Sequence, residues 1–225
     1  MKTISWKTKF ISAVVILAII FALFPTMSVH AEGTSTSSNT LSLKDFSATL
    51  RKSDSSLLTG LYIDDVMAVP VLQQPSSNPG YVSSRAESVT QFGLASQYGS
   101  IGLLAHNYLS GNDFFNIQSG SLITLVYGDG SVKYYQVSDI RKYQALSPNS
   151  QYSNFKNLAN PDVTLTSTDL FYETYGLGNV LVLQTCILAN GDPSWGRIFI
   201  IATPYEETPD LSYLSYSFLE AVHTM

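Results

Sequence analysis

Residues 122–143 read LITLVYGDGSVKYYQVSDIRKY. β-Branched and aromatic residues crowd two runs, 122–127 and 132–143, and Gly128-Asp129-Gly130 stands between them. Asp-Gly tolerates the positive φ angles of a tight turn, so this stretch predicts a β-hairpin. Runs of the same kind recur at 61–72, 100–105, 163–166, 180–185 and 197–203, each bounded by turn residues. Many short strands without regularly interposed helices predict a mainly β fold, a closed antiparallel barrel carrying a few short helices. The pattern argues against a parallel α/β sheet, whose successive strands need a long crossover.

Helical signals are few. Ser42 stands three residues before Asp45, with Leu43, Phe46 and Leu50 along one face, which predicts a short capped helix over 43–52. Single helical turns are expected within 111–120 and 151–158. At the C-terminus, Thr208-Pro209-Asp210 opens a predicted helix, because proline fits the first helical position and Leu211, Leu214, Phe218 and Val222 share a face.

The N-terminus carries Lys2, Lys7 and Lys9, an apolar run over 10–24, Pro25 and the small-residue ending Val29-His30-Ala31. This is the layout of a secretory signal peptide, with cleavage expected after Ala31. An apolar run of about 15 residues is short for a span that needs about 20, and retention as a membrane anchor is the alternative. Residues 33–42, GTSTSSNTLS, cannot bury apolar area and read as a leader. The predicted organisation is therefore a signal peptide at 1–31, a leader and short helix at 32–60, and a barrel with its C-terminal helix at 61–225.

Of the 12 basic residues the signal peptide holds three, so the exported chain sets 9 basic against 17 acidic side chains. Phosphate contact requires clustered Lys and Arg, so nucleic acid is excluded as a partner. No glycine-rich phosphate loop precedes a helix, which leaves nucleotide chemistry without support. Two histidines and one cysteine do not make a zinc site, and Asp162, Asp169 and Glu173 read as solvated acids rather than calcium ligands. No cofactor and no metal are expected.

Cys186 is the only cysteine of the chain and closes the strand-like run over 180–186, VLVLQTC. A lone thiol has no partner for an internal disulfide, so it is either a small buried hydrophobe or a reactive group. Beyond the signal peptide only His106 and His223 remain, and His223 lies at the extreme C-terminus. His106 follows the apolar strand over 101–105 and precedes Asn107, at the kind of strand end where reactive groups sit. Arg197 comes 11 residues after Cys186, across the turn-rich Asn190-Gly191-Asp192-Pro193-Ser194, and opens the run over 198–202. If those two strands are antiparallel neighbours, Cys186 and Arg197 flank one barrel edge. A guanidinium there favours a thiolate and stabilises a developing oxyanion.

Leu183-Gln184-Thr185-Cys186, a histidine 80 residues upstream after an apolar strand, and the Arg197 strand ending at Ala202 together resemble the sortases, cysteine transpeptidases of bacterial surfaces. The resemblance covers about residues 61–204. Val182 departs from the family's T-L-x-T-C by replacing the first threonine, and a cleavable leader departs from its usual membrane tether. The resemblance implies a sortase-like barrel in which Cys186 is the nucleophile, His106 the acid–base and Arg197 the substrate or oxyanion clamp, with Thr185 aiding by hydrogen bonding. It implies a peptide or protein substrate at the cell surface, an amine acceptor or water, and a specificity loop at 147–178. The alternatives are a secreted cysteine peptidase and a non-enzymatic exported barrel that binds a partner around an inert thiol.

Overall fold

This computed structural model describes residues 41–206. The export signal at 1–31, the leader up to 40, the C-terminal helix from 208 and His223 lie outside the described residues. The first element is helix α1 (Leu43–Thr49), whose N-cap Ser42 accepts a hydrogen bond from the Asp45 amide, the cap read in the sequence. Its one buried side chain, Phe46, packs beside Gly60, where an added Cβ would come within 2.9 Å of the Phe46 ring.

Ten strands follow: β1 (Leu58–Ile63), β2 (Met67–Gln73), β3 (Val89–Phe92), β4 (Ile101–Leu104), β5 (Leu122–Tyr127), β6 (Val132–Ala145), β7 (Phe155–Asn157), β8 (Thr164–Leu165), β9 (Leu181–Ala189) and β10 (Asp192–Tyr205). They are hydrogen-bonded in the order β10-β9-β4-β3-β2-β1-β5-β6, and β6 pairs back onto β10, which closes an eight-stranded barrel. β7 and β8 extend outward from β6. The hairpin read at 122–143 joins β5 to β6, with Val126 opposite Val132 and Gly130 at φ 84° in the turn.

Three expectations are corrected. The barrel is not wholly antiparallel: β2 with β3 and β4 with β9 run parallel, the former reached by the long excursion over 74–88. The run at 61–72 is two strands, because Asp65 adopts φ 55° and folds β1 back on β2. The helical turn expected within 151–158 is instead β7, where Phe155 pairs with Ala145 and is buried, so tertiary packing overrides a weak local signal. The turn expected within 111–120 is present as a 3-10 helix (Ser110–Asn116), and its Phe114 is fully buried in the barrel interior. Two further short helices are α2 (Gly93–Gln97) and α3 (Ser167–Thr174).

Two apolar layers share the wall formed by β9 and β10. Leu181, Leu183, Ile198 and Ile200 point into the barrel, and Val182, Phe199 and Ile201 point outward into a second cluster with Tyr143, Phe155, Leu170 and Tyr175. This explains why the stretches at 180–183 and 198–202 are continuously apolar rather than alternating: both faces are covered. Full burial of each such side chain contributes about 1.5–3 kcal/mol, so the wall is rigid on both sides. Among the described residues no helix is long and apolar enough to cross a membrane.

Candidate functional site

β9 is the central strand of the candidate site, flanked by β4 in parallel and by β10 antiparallel. Across the second ladder Arg197 is the register partner of Cys186, Phe199 of Gln184, and Ile201 of Val182. Across the first, Gly102 partners Val182 and Leu104 partners Gln184. The parallel pairing runs one residue beyond the end of β4: the Ala105 amide donates to the Gln184 carbonyl at 3.2 Å, and the Thr185 hydroxyl donates to the Ala105 carbonyl at 2.8 Å. The next residue is His106, where the chain leaves the ladder: its carbonyl accepts from the amides of Leu109 and Gly111. Side chains opposite one another in a ladder share a face, so the outer surface carries successive rows of Gly102, Val182 and Ile201, then Leu104, Gln184 and Phe199, then Cys186 and Arg197, with His106 two residues beyond Leu104.

The row has firm supports. Thr185 is fully buried and spends its hydroxyl on the Ala105 carbonyl, fixing the end of β4 against β9. Gly111 brings the 3-10 helix against the same point: its amide donates to the His106 carbonyl at 3.0 Å, and an added Cβ would fall on Thr185 Oγ1 and lie 2.9 Å from the Ala105 carbonyl oxygen. Asn107 Nδ2 donates to the Pro193 carbonyl at 2.9 Å, tying the histidine loop to the start of β10. The expected loop between Cys186 and Arg197 is shorter than its composition suggested. Asn190 and Gly191, at φ 53° and 77°, make a tight turn, and a register shift between Asp192 and Gly196 absorbs the rest.

Cys186 is half-buried, free of any disulfide, and belongs to neither apolar cluster. His106, also half-buried, stacks on Tyr108 with ring centroids 5.1 Å apart and planes 18° from parallel. Arg197 Nη1 donates at 2.8 Å to the carbonyls of both Ser194 and Gly196, and Nη2 lies 3.5 Å from the Pro148 carbonyl. Its partners among the described residues are main-chain carbonyls, so the guanidinium charge is oriented without being cancelled by a carboxylate.

Two hollows flank the row. A groove of about 440 Å³ runs from Arg197 over Gln184, Leu104 and Phe199 to the aromatic residues of α3 and Tyr175. A smaller hollow of about 320 Å³ lies beyond it against Tyr108, Phe115, Ile187 and Leu188. The segment over 147–178, read as a specificity loop, does border the groove, through Ser150, Phe155, α3 and Tyr175. Tyr175 is fully buried, its hydroxyl donates to Gln184 Oε1 at 2.7 Å, and burial pushes its phenol well above the usual tyrosine range. Sequence reasoning passed over Tyr175, Gln184 and Gly111; a tyrosine in an aromatic stretch and the variable residue of L-x-T-C carry no local signal of their pairing.

Among the described residues no three His, Cys, Asp or Glu side chains are grouped to hold an ion. Asp169 instead closes the capping box of α3 with Thr166.

No protein-family profile matches the chain, and no curated protein does. Solved structures similar to it include Streptococcus agalactiae sortase C1 in complex with MTSET, at 12% identity and TM-score 0.42, covering 72% of each chain. Sortase C from Clostridium perfringens SM101 matches at 13% identity and TM-score 0.41, covering 70% of this chain and 73% of that one. Sortase A from Corynebacterium diphtheriae matches at 12% identity and TM-score 0.42, covering 70% and 64%. At these identities and scores the likeness carries no weight on chemistry, which rests on this chain's own residues.

Proposed function

We propose that this protein is a sortase-like cysteine transpeptidase acting on a peptide outside the cytoplasm, with Cys186 as nucleophile, His106 as acid–base and Arg197 as oxyanion and substrate clamp. The observation that supports the reading is that Arg197 is the register partner of Cys186 in the β9–β10 ladder, while His106 follows directly on Ala105, which the Thr185 hydroxyl ties to β9. A buried structural thiol requires no such neighbours. A free, half-buried thiol whose register partner Arg197 and strand neighbour Gln184 line a groove fits a nucleophile aimed at a bound chain.

In this mechanism the Cys186 thiolate attacks a peptide carbonyl, forming the C–S bond and moving an electron pair onto the carbonyl oxygen. Arg197 stabilises that oxyanion while it exists. The intermediate collapses, the C–N bond breaks, and the leaving amine takes a proton from His106. An acceptor amine then attacks the thioester and gives its proton to His106, an amide forms and the thiolate is released. Water in place of the amine gives hydrolysis through the same acyl-enzyme. The two hollows on either side of the row provide separate entries for the acyl donor and the acceptor.

The export-type N-terminus supports a reaction outside the cytoplasm. The test is incubation of the protein with a peptide library, followed by mass spectrometry of the intact protein. A thioester adduct confined to Cys186 and absent from Cys186→Ala supports the reading. A new amide product on adding a glycine peptide identifies transfer, whereas a free acid alone identifies a peptidase. A thiol that resists both peptide capture and alkylation until the protein is denatured identifies a binding module and overturns the enzyme.

A further inference from the structure

Gln184 sets a polar side chain among apolar neighbours in the groove. Gln184 lies in the row next to Cys186, between Leu104 and Phe199, and lines the groove with Phe92, Leu170 and Phe171. Its carbonyl oxygen is engaged by the Tyr175 hydroxyl at 2.7 Å. Tyr175 is held rigidly: its ring lies 5.2 Å from Phe92 and 6.1 Å from Phe199 in edge-to-face contacts, and Gly102 leaves the space that a Cβ would take, 2.9 Å from Tyr175 Cε1. Burial keeps the phenol protonated, and in the structure its O–H donates to the amide oxygen of Gln184.

With the oxygen held, the amide nitrogen is the end that remains free. The Nε2 hydrogens meet no acceptor among the described residues, and Nε2 is not a sealed, unsatisfied atom, so they address the groove. A groove whose one charged lining residue is Arg197 presents no carboxylate to a cationic side chain. Gln184 is two residues from Cys186 along β9, and a strand rises about 3.4 Å per residue. An extended substrate with its scissile carbonyl at Cys186 therefore brings the residue two positions away over Gln184.

We propose that Gln184 is a specificity-determining residue whose amide donates a hydrogen bond to a neutral acceptor side chain of the substrate (Asn, Gln or Thr) two positions from the scissile carbonyl, and that Tyr175 is the positioning residue that holds it. The inference rests on the transpeptidase reading above. A net hydrogen bond of about 1 kcal/mol corresponds to roughly a fivefold preference for such a side chain over an apolar isostere. Lysine and arginine at that position are disfavoured, because they offer no acceptor and face Arg197.

The experiment is positional sequencing of peptides captured as Cys186 adducts from a library in which Gln competes with Met and Asn with Leu. Wild type is expected to enrich Gln and Asn about fivefold two positions from the captured carbonyl. Gln184→Leu is expected to reverse that ratio toward Met and Leu, and Tyr175→Phe to reduce it. Because each ratio is measured within one variant, a general loss of stability or of acylation rate cancels, and a purely structural role for Tyr175 leaves the ratio unchanged. Adducts without enrichment, or enrichment that survives Gln184→Leu, overturn the inference alone. Absence of any adduct on wild-type Cys186 overturns the transpeptidase reading and this inference with it.

Discussion

Arg197 stands directly opposite Cys186 in the β9–β10 ladder, its Nη1 fastened to the Ser194 and Gly196 carbonyls. The guanidinium is thus aimed by its own strand rather than by an acidic partner, and its remaining N–H donors are available to a substrate oxygen. A lysine has one nitrogen on a flexible stem and cannot hold both carbonyls while presenting a second donor plane. Arg197→Lys is expected to lower kcat for acylation about 10²–10³-fold, the cost of removing one oxyanion donor. Single-turnover kinetics with a captured peptide measures this, and a loss below about threefold removes Arg197 from the chemistry.

Thr185 links β9, the strand of Cys186, to the end of β4 that leads into His106. Thr185→Val keeps the shape and deletes the donor, which leaves the buried Ala105 carbonyl without its side-chain partner at a cost of about 1–3 kcal/mol. A domain of this size loses about 2–4 °C in Tm per kcal/mol, so thermal melting resolves the change. Acylation is expected to fall as well, because the end of β4 that delivers His106 is no longer pinned. Thr185→Ser, which retains the donor, is expected to recover most of both.

Gly111 is required by close approach rather than by its backbone angle. Its Cβ position is already occupied by Thr185 Oγ1, and the Ala105 carbonyl oxygen would lie 2.9 Å away. Gly111→Ala must push the 3-10 helix off β9, at about 1–3 kcal/mol for an overpacked site. The expected result is a lower Tm together with slower acylation, since the displaced helix bonds the His106 carbonyl. Unchanged melting and kinetics would mean that the helix does not support the row.

The strands and the closed barrel were legible because their cause is local: β-branched runs, Asp-Gly and Asn-Gly turns, and residues whose types already suit one chemistry. The pairing of Cys186 with Arg197 was legible. Antiparallel neighbours joined by a short turn follow from sequence, so Cys186 and Arg197 could be paired on spacing. The parallel pairing of β4 with β9 could not, since no local pattern announces a partner 80 residues away. β3 is only four residues long and β7 three, too short for an alternation to show. The Tyr175 to Gln184 contact depends on α3 lying over the outer wall, which the Thr166–Asp169 capping box alone does not reveal.

Asp113 gives a pH prediction whose sign is fixed by burial. Its carboxyl sits within the 3-10 helix, and desolvation raises its pKa above the ordinary aspartate value. A group whose folded pKa exceeds its unfolded one favours folding while protonated, so its contribution is fully present below the unfolded value and is lost as pH rises through the folded value. Wild type is therefore expected to lose this increment across the acidic carboxylate range, and Asp113→Asn, which carries no charge to desolvate, is not. Measured as Tm against pH, the difference between Asp113→Asn and wild type should grow in favour of the variant from the acid side and level off near neutrality. A difference that shrinks with rising pH would show instead that the ionised carboxylate is the stabilising form, through its place in the first helical turn.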